Sequence, residues 1–425
     1  MRKWKGRWLI IGIILLLDVY VFSALQFISQ HAGSQVQFAI YSTYWIVSVL
    51  AISLTVLFPY IKFFRTHLLI SNHIFAVLIG LFIAEISSSA FFLVDDIRRG
   101  IIWLFGLMPR GADSSISRSY ILTWLGFGIG GGLFSTLIYG FSNKYNYAIK
   151  HIKLAFNNLP AAFKGLKIVQ ISDIHSGSLR DKEAVNKGVD LILNEKPDLI
   201  LFTGDLVNDR AEEMRNYVDV FNRLHAPLGV FSILGNHDYG DYYPWPDRDD
   251  ELREAERIAG RRIFSPMQKA NIEKLKQMQA EMGWRLLMNE HVVLEKGGQQ
   301  IALLGIENWG GKGRFPKYGR MDLAYKGTEQ YPFKILMSHD PSHWNAQVRP
   351  EYPDVNLMLS GHTHGMQFGI DLPFLKWSPV KWMYKEWSGL YEEGNQKLYV
   401  NHGFGFLGYP GRVGFMPEIT VIELA

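Results

Sequence analysis

The chain has 425 residues, no cysteine and a formal net charge of +4. Without cysteine it can form neither disulfides nor thiolate metal sites, and it has no cysteine nucleophile. The small net charge does not indicate nucleic-acid binding, which usually produces a strongly basic domain, so no nucleic-acid partner is expected.

Four long apolar stretches in the first third of the chain predict membrane-spanning helices. Each is long enough to cross the hydrocarbon core of a bilayer, which takes ~20 helical residues. The stretches are 8–28, 38–64, 70–94 and 121–141. The first follows a basic N-terminus, but it is long and lacks a small-residue cleavage site, so an uncleaved helix is expected rather than a signal peptide.

Lys and Arg in the connecting loops predict the orientation of these spans. The N-terminus is basic, the loop 29–37 contains no Lys or Arg, and Lys144, Lys150 and Lys153 follow the last span. We therefore expect an integral membrane protein with its C-terminal domain in the cytoplasm. The loop 95–120 contradicts this orientation, because it carries Arg98, Arg99, Arg110 and Arg118.

Glycines in the last span formally match the dinucleotide-binding pattern GxGxxG. No strand precedes them, so the pattern lacks its structural context. Gly126 with Gly130, and Gly128 with Gly132, instead form small-xxx-small pairs that predict close helix packing.

Two carboxyl groups, Asp18 and Glu85, fall near the middle of their spans. An ionisable group at that depth is a functional candidate by default. A protonated carboxyl that is hydrogen-bonded to a neighbouring helix is the expectation here, because nothing else in the spans indicates a transport path.

The remaining residues, 144–425, predict one α/β domain in which five apolar runs each end in a polar cluster. Short runs rich in Ile, Leu and Val are typical of buried strands, and ligands bind at the carboxyl ends of strands in open α/β sheets. The clusters are Asp173-Ile-His175, Gly204-Asp205, Gly235-Asn236-His237-Asp238, Ser338-His339-Asp340 and Gly361-His362-Thr363-His364.

The side chains in these clusters are metal ligands of mixed type. Carboxylate, imidazole and amide donors together suit Mn²⁺, Fe or Zn²⁺, whereas Mg²⁺ and Ca²⁺ prefer oxygen alone. Two metals about 3.5–4 Å apart need a bridging ligand. Asp205 is the expected bridge, because it directly follows an apolar strand and a carboxylate can bridge with two oxygens.

The ordered series of motifs resembles the calcineurin-like metallophosphoesterases, and among them the bacterial membrane-associated phosphodiesterases that include UDP-2,3-diacylglucosamine hydrolases. The resemblance covers residues 165–425. It implies an α/β fold in which four transmembrane helices (1–143) precede a metallophosphoesterase α/β/β/α sandwich (144–425). It implies two divalent metal ions, the first held by Asp173, His175 and His364, the second by Asn236, His339 and His362, with Asp205 as the bridge. His237 is implied to face the substrate without binding metal.

The resemblance therefore implies a hydrolase anchored in the bacterial inner membrane that acts on a phosphodiester or pyrophosphate, with a lipid-linked substrate as one candidate. Two metal ions, manganese before iron or zinc, would activate water for direct attack, and His237 would donate a proton to the leaving oxygen. Two alternatives stay open: a broad phosphodiesterase for soluble nucleotides with the spans as an anchor, and a non-catalytic membrane sensor.

Several residues beside the motifs are candidates for shaping the substrate site. The aromatic segment 239–245 is a candidate wall or lid, and the segment 374–387 either faces lipid or packs over the sheet edge. Met366 stands where many relatives have glycine, which is expected to reshape one wall. Arg412 is a candidate phosphate contact, whereas Arg210 is expected to be a solvated charge at a helix start.

Overall fold

The computed structural model describes residues 2–58, 60–105, 116–259, 262–312 and 315–425. Its contacts divide the chain into two compact units, Met1–Phe141 and Ser142–Ala425.

The first unit is helical. Its helices are α1 (Arg2–Ser29), α2 (Ser34–Leu57), α3 (Lys62–Thr66), α4 (Leu68–Leu104) and α5 (Tyr120–Gly140). Among the described residues, four helical segments are long and apolar enough to cross a membrane: Ile11–Ser29, Ser34–Leu57, Ile70–Leu104 and Tyr120–Tyr145. The four predicted spans are thus present.

The end of the third span differs from the prediction. Its helix does not stop at Val94 but continues to Leu104. Ion pairs along the helix stabilise this extension, with Arg98 Nε 2.9 Å from Asp95 Oδ1 and Arg99 paired with Asp96. Hydropathy alone missed these last turns, because a charged sequence ends an apolar run without ending a helix. Arg110 lies outside the described residues.

The glycines of α5 pack as predicted on one side only. A Cβ atom at Gly126 would lie 2.6 Å from the Phe92 ring and 3.0 Å from the carbonyl oxygen of Ser88 on α4, and Gly130 is equally crowded by Ser88 and Ala84. Gly128 and Gly132 face open space. The second glycine pair therefore does not serve helix packing within this unit.

Asp18 is hydrogen-bonded between two helices, as expected for a carboxyl within a span. Its side chain is buried, and Ser48 on α2 donates a 2.7 Å hydrogen bond to Oδ2. Tyr44 donates to the carbonyl oxygen of Asp18 at 2.8 Å. These contacts join α1 to α2.

The second unit contains two mixed six-stranded sheets. Its strands are β1 (Ala148–Leu154), β2 (Lys167–Ile171), β3 (Leu199–Phe202), β4 (Val230–Ser232), β5 (Arg285–Leu286), β6 (Glu290–Lys296), β7 (Gln299–Gly305), β8 (Lys334–Met337), β9 (Leu357–Ser360), β10 (Ile370–Leu372), β11 (Leu375–Trp377), β12 (Gly389–Glu393), β13 (Gln396–Val400) and β14 (Glu418–Leu424). Its α-helices are α6 (Lys182–Asn194), α7 (Val218–Phe221), α8 (Asp250–Ala259), α9 (Pro266–Glu281), α10 (Met321–Tyr325) and α11 (Arg349–Glu351).

The strand order brings the predicted strands side by side. One sheet has the order β1-β14-β2-β3-β4-β5 and the other β12-β13-β9-β8-β7-β6. β2, β3, β4 and β5 are parallel neighbours, and so are β7, β8, β9 and β13. β10 and β11 form a separate antiparallel hairpin.

The two sheets pack face to face, with helices on both outer faces. Ile168 and Leu201 of the first sheet share a buried cluster with Leu303 and Ile335 of the second. On the outside of the first sheet, α6 and α9 cover a second apolar cluster, and a third lies between α10 and the second sheet. The predicted α/β/β/α sandwich is confirmed.

The site-bearing strands are buried on both faces, which explains their uninterrupted apolar sequences. All four residues of β3, β8 and β9 are buried. Parallel strands covered on both sides have this composition, unlike the alternating strands of a half-exposed sheet. Their carboxyl ends lie at one edge of the sandwich, where the five polar clusters meet.

Candidate metal centre

Two groups of buried ligand side chains converge at this edge. Asp173, His175 and His364 each offer an atom within 4.8 Å of the others, and so do Asp205, His339 and His362. Five different loops supply these residues together with Asn236. The structure therefore brings together all seven residues predicted to hold metal.

In the first group, a carboxylate and two imidazoles point at one position. Nε2 of His364 lies 3.2 Å from Oδ1 of Asp173 and 3.1 Å from Nε2 of His175. Asp173 and His175 are fully buried. Backbone N–H of His362 donates to both oxygens of Asp173, at 3.1 and 3.0 Å, which fixes the carboxylate.

The second group adds the amide oxygen of Asn236. Its Oδ1 lies 2.8 Å from Nδ1 of His362, and its Nδ2 donates to the hydroxyl of Tyr242 at 3.0 Å. The amide is thereby oriented with oxygen toward the centre. Nδ1 of His339 donates to the carbonyl oxygen of Thr203 at 2.7 Å, so the other ring nitrogen points inward.

Asp205 lies between the two groups. Its Oδ2 is 3.1 Å from Nε2 of His339 in the second group and 3.6 Å from Nε2 of His175 in the first. Oδ1 accepts the backbone N–H of His237 at 2.8 Å. This position between the groups is the one that a bridging carboxylate requires.

The backbone at these positions is unusual. Five of the seven candidate ligands have left-handed backbone, with φ of 51° at Asp173, 47° at His175, 61° at Asp205, 71° at His362 and 52° at His364. Such conformations cost about 1–3 kcal/mol each for non-glycine residues and cluster at functional sites. The loops are thus shaped to aim side chains inward at the expense of local stability.

The electrostatics of the cluster fit bound cations. Burial opposes ionisation of Asp205, but the facing imidazoles of His339 and His237 outweigh it and hold the pKa of Asp205 well below its ordinary value. Burial lowers the pKa of His175 to about 3. Nε2 of His339 is buried without a hydrogen-bond partner beside two carboxylates. Buried carboxylates and inward-facing ring nitrogens are donors of the type that binds divalent transition metals.

His237 stands beside both groups but belongs to neither. Its ring centre is 4.9 Å from that of His175 and 4.6 Å from that of Tyr242. Nδ1 donates to the carbonyl oxygen of Asn208 at 2.7 Å, which leaves Nε2 available on the other side of the ring. Tyr242 belongs to the predicted aromatic wall and is half exposed beside the centre.

Asp238 holds two loops of the candidate metal centre in place. Its motif was recognised in the sequence, but no role was predicted for Asp238 itself. Its carboxylate accepts backbone N–H groups of Asp205 at 2.9 Å, Leu206 at 2.8 Å, Val207 at 3.2 Å and Gly235 at 2.9 Å. It thereby ties the loop of the candidate bridge to the loop of Asn236.

Arg412 does not have the predicted role in phosphate contact. Its side chain is fully buried, and its guanidinium donates to the carbonyl oxygens of His402 at 2.8 Å, Gly403 at 3.3 Å and His364 at 3.4 Å. Its contribution is to hold the glycine-rich tail against the loop of His364. Arg210, at the start of a short helical turn, lies over the ring of Tyr243 at 5.0 Å.

Comparisons with known proteins identify the class to which this architecture belongs. A family model described as calcineurin-like phosphoesterase matches residues 166–366. A second, described as probable calcineurin-like phosphoesterase, transmembrane domain, matches residues 4–144. Both parts of the chain therefore match phosphoesterase families.

Individual relatives agree. The metallophosphoesterase YkuE of Bacillus subtilis is 33% identical over 277 residues, which cover 63% of this chain and 81% of the relative. A transmembrane protein with metallophosphoesterase domain from Danio rerio is 27% identical, over 64% of this chain and 56% of that protein. Among solved structures, a 5'-nucleotidase precursor from Thermus thermophilus aligns over 61% of this chain and 54% of its own, at 14% identity and a TM-score of 0.35. The chain belongs to the calcineurin-like metallophosphoesterase family and is an integral membrane member of it.

Proposed function

We propose that the protein hydrolyses a phosphodiester or pyrophosphate at a centre of two divalent metal ions. The observation that carries this proposal is the position of Asp205, whose carboxylate lies 3.1 Å from His339 and 3.6 Å from His175, one in each ligand group. Hydrolysis by two metal ions requires a ligand that both ions share, and Asp205 lies where such a shared ligand would be.

The residues would divide the work as follows. Asp173, His175 and His364 would hold one ion, Asn236, His339 and His362 would hold the other, and Asp205 would be shared between them. Bound ions supply an activated water and neutralise charge on the phosphoryl oxygens. The mixed nitrogen and oxygen donors suit manganese, iron or zinc, and we propose manganese as the native metal.

His237 would act as the proton donor to the leaving oxygen. Its Nδ1–H is held by the carbonyl oxygen of Asn208 at 2.7 Å, so only Nε2 can exchange a proton with substrate. This orientation distinguishes His237 from the candidate ligands, whose side chains converge in the two groups.

The test uses the purified full chain loaded with Mn²⁺ and bis-p-nitrophenyl phosphate as substrate. We expect metal-dependent turnover from the wild type and none from Asp205→Asn, which should also bind less metal because a neutral amide cannot bridge two cations. Asp190→Asn, at an exposed position on α6, is the matched control and should retain turnover. Two bound metals and near-normal turnover in Asp205→Asn would contradict the proposal. Absence of turnover in the wild type would favour the alternative of a non-catalytic membrane sensor.

A further inference from the structure

An exposed apolar surface lies next to the candidate metal centre. More than half of the strongly exposed large apolar side chains in the described part of the second unit come from residues 366–390. We use the name apolar platform for seven of them: Met366, Ile370, Leu372, Phe374, Leu375, Trp382 and Met383. Exposed patches of this kind mark protein or membrane interaction sites.

The most exposed part of this platform lies on the hairpin β10–β11 and in the turn that follows it. Residues 372–376 are consecutively exposed, and the ring of Phe374 at the turn is 84% exposed. Trp382 follows in the next turn at 73%. This hairpin pairs with neither sheet, and the rings of Phe374 at its turn and of Trp382 beyond it stay exposed.

The charges around the platform are unbalanced toward positive. Lys376 and Lys381 are exposed at its border. The nearby acids are already paired, Asp371 with Lys150 at 2.7 Å and the buried Glu386 with Lys385 at 3.8 Å. Aromatic rings with a lysine border are typical of surfaces that enter the headgroup region of an anionic bilayer.

The platform is fixed to the candidate metal ligands. Ser378, between β11 and Trp382, donates to the carbonyl oxygen of Gly365 at 2.9 Å, and Thr363 donates to the carbonyl oxygen of Trp387 at 2.7 Å. Gly365 and Thr363 both adjoin His364. Whatever binds the platform is therefore held at a constant distance from the centre.

We propose that the apolar platform enters the interface of the bilayer that holds the chain's own spans, and that the substrate is an acylated phosphodiester or pyrophosphate of that bilayer. The occupant follows from the chain itself, because an integral membrane protein always has lipid at high local concentration. The assignment of the substrate rests on the proposed function; the assignment of the surface does not.

The surface can be tested directly, because the chain contains no cysteine. Phe374→Cys carries one nitroxide label, and Leu323→Cys on α10, 50% exposed, is the matched control. The full chain is reconstituted into bilayers that contain anionic lipid. We expect the label at 374 to collide mainly with oxygen, which dissolves in lipid, and the label at 323 mainly with a water-soluble nickel complex.

Two results would overturn the assignment. Equal exposure of both labels to the nickel complex would leave the platform in water. Strong dipolar broadening between labels at 374, removed by dilution with unlabelled protein, would mean that a second copy covers the platform instead of lipid.

The substrate class is tested by a ratio of rates. For Phe374→Ser combined with Trp382→Ser, kcat/KM for a diacylated pyrophosphate relative to bis-p-nitrophenyl phosphate should fall by about tenfold or more, since burial of one large apolar side chain is worth at least that factor. The ratio should stay constant in Leu323→Ser. A constant ratio in the double variant contradicts a lipid substrate, whereas absence of any turnover in the wild type contradicts the proposed function alone.

Discussion

The hydroxyl of Tyr384 lies 2.8 Å from Nε2 of His362 and 3.4 Å from Oδ2 of Asp340. Burial, followed by the charge of Asp340, raises the pKa of Tyr384, so its hydroxyl stays protonated. The hydroxyl donates to the carboxylate and accepts N–H from His362. With a metal ion bound, this relay would leave Nδ1 of His362, 2.8 Å from Oδ1 of Asn236, free of a proton and able to act as a ligand.

Replacement of Tyr384 by phenylalanine should weaken the metal pair without removing a ligand. Hydrogen bonds that orient a ligating histidine are typically worth 10–100-fold in metal affinity or activity. For Tyr384→Phe we therefore expect a loss on the order of tenfold in manganese affinity, measured by metal titration, and recovery of turnover at higher metal concentration. Tyr352→Phe, which lies away from the centre, is the control. Unchanged affinity in Tyr384→Phe would mean that His362 does not bind metal.

Removal of the Asp238 carboxylate should destabilise the edge of the sandwich at which the candidate metal centre lies. Asp238→Ala would leave four buried backbone N–H groups without a hydrogen-bond acceptor, those of Asp205, Leu206, Val207 and Gly235. An unsatisfied buried donor costs about 1–3 kcal/mol, so the metal-free protein should melt at a clearly lower temperature. Thermal unfolding in detergent measures this, with Asp190→Ala as the control. An unchanged melting temperature would show that these hydrogen bonds do not support the fold.

The sequence predicted the fold and the assembly of the candidate ligands because both depend on local patterns. Asp173, Asp205 and His339 each follow a short apolar run. β2 and β3 are parallel neighbours in one sheet and β8 lies in the sheet packed against it, so the loops after these strands meet at one edge. Their roles in binding metal stay a prediction. The apolar stretches also predicted the four spans. They did not predict the last turns of α4, because charged residues that form ion pairs extend that helix.

The supporting residues could not be predicted because their contacts are remote in the chain. Tyr384 is 22 residues from His362, and Arg412 is 48 from His364. Arg412 in a glycine-rich tail has the sequence appearance of a surface cation, and only the tertiary fold buries it among carbonyl groups. The orientation of Gly128 and Gly132 likewise depends on which side of α5 faces α4.

The His237 side chain should contribute to rate but not to metal binding. For His237→Ala we expect both metals to remain, because no candidate ligand is lost, and the rate to fall on the order of 10²–10⁴, the usual size of a general-acid contribution. The loss should shrink for esters with good leaving groups, which need little protonation. Kinetics with a series of substituted phenyl esters, beside metal analysis, checks both points. His225→Ala, at an exposed loop, serves as the control, and metal loss in His237→Ala would make His237 a ligand.

The second unit is expected in the cytoplasm, and three of the four arginines that contradict this orientation, Arg98, Arg99 and Arg118, are held in ion pairs. Arg98 and Arg99 pair with Asp95 and Asp96 at the end of α4, and Arg118 lies 3.6 Å from Asp96. Acidic partners weigh little in the rule that Lys and Arg stay on the cytoplasmic side, so these ion pairs do not remove the contradiction. The basic N-terminus and the lysines after the last span favour a cytoplasmic second unit.

Reporter fusions test this orientation. Alkaline phosphatase, which is active only outside the cytoplasm, should be inactive when fused after Ala425 and active when inserted after Ala32, between α1 and α2. A fluorescent protein that folds only in the cytoplasm should give the opposite pattern at the same two positions. Active alkaline phosphatase at Ala425 would put the metal centre outside. Cytosolic nucleotides could then not be substrates, whereas a lipid-linked pyrophosphate of the outer leaflet still could.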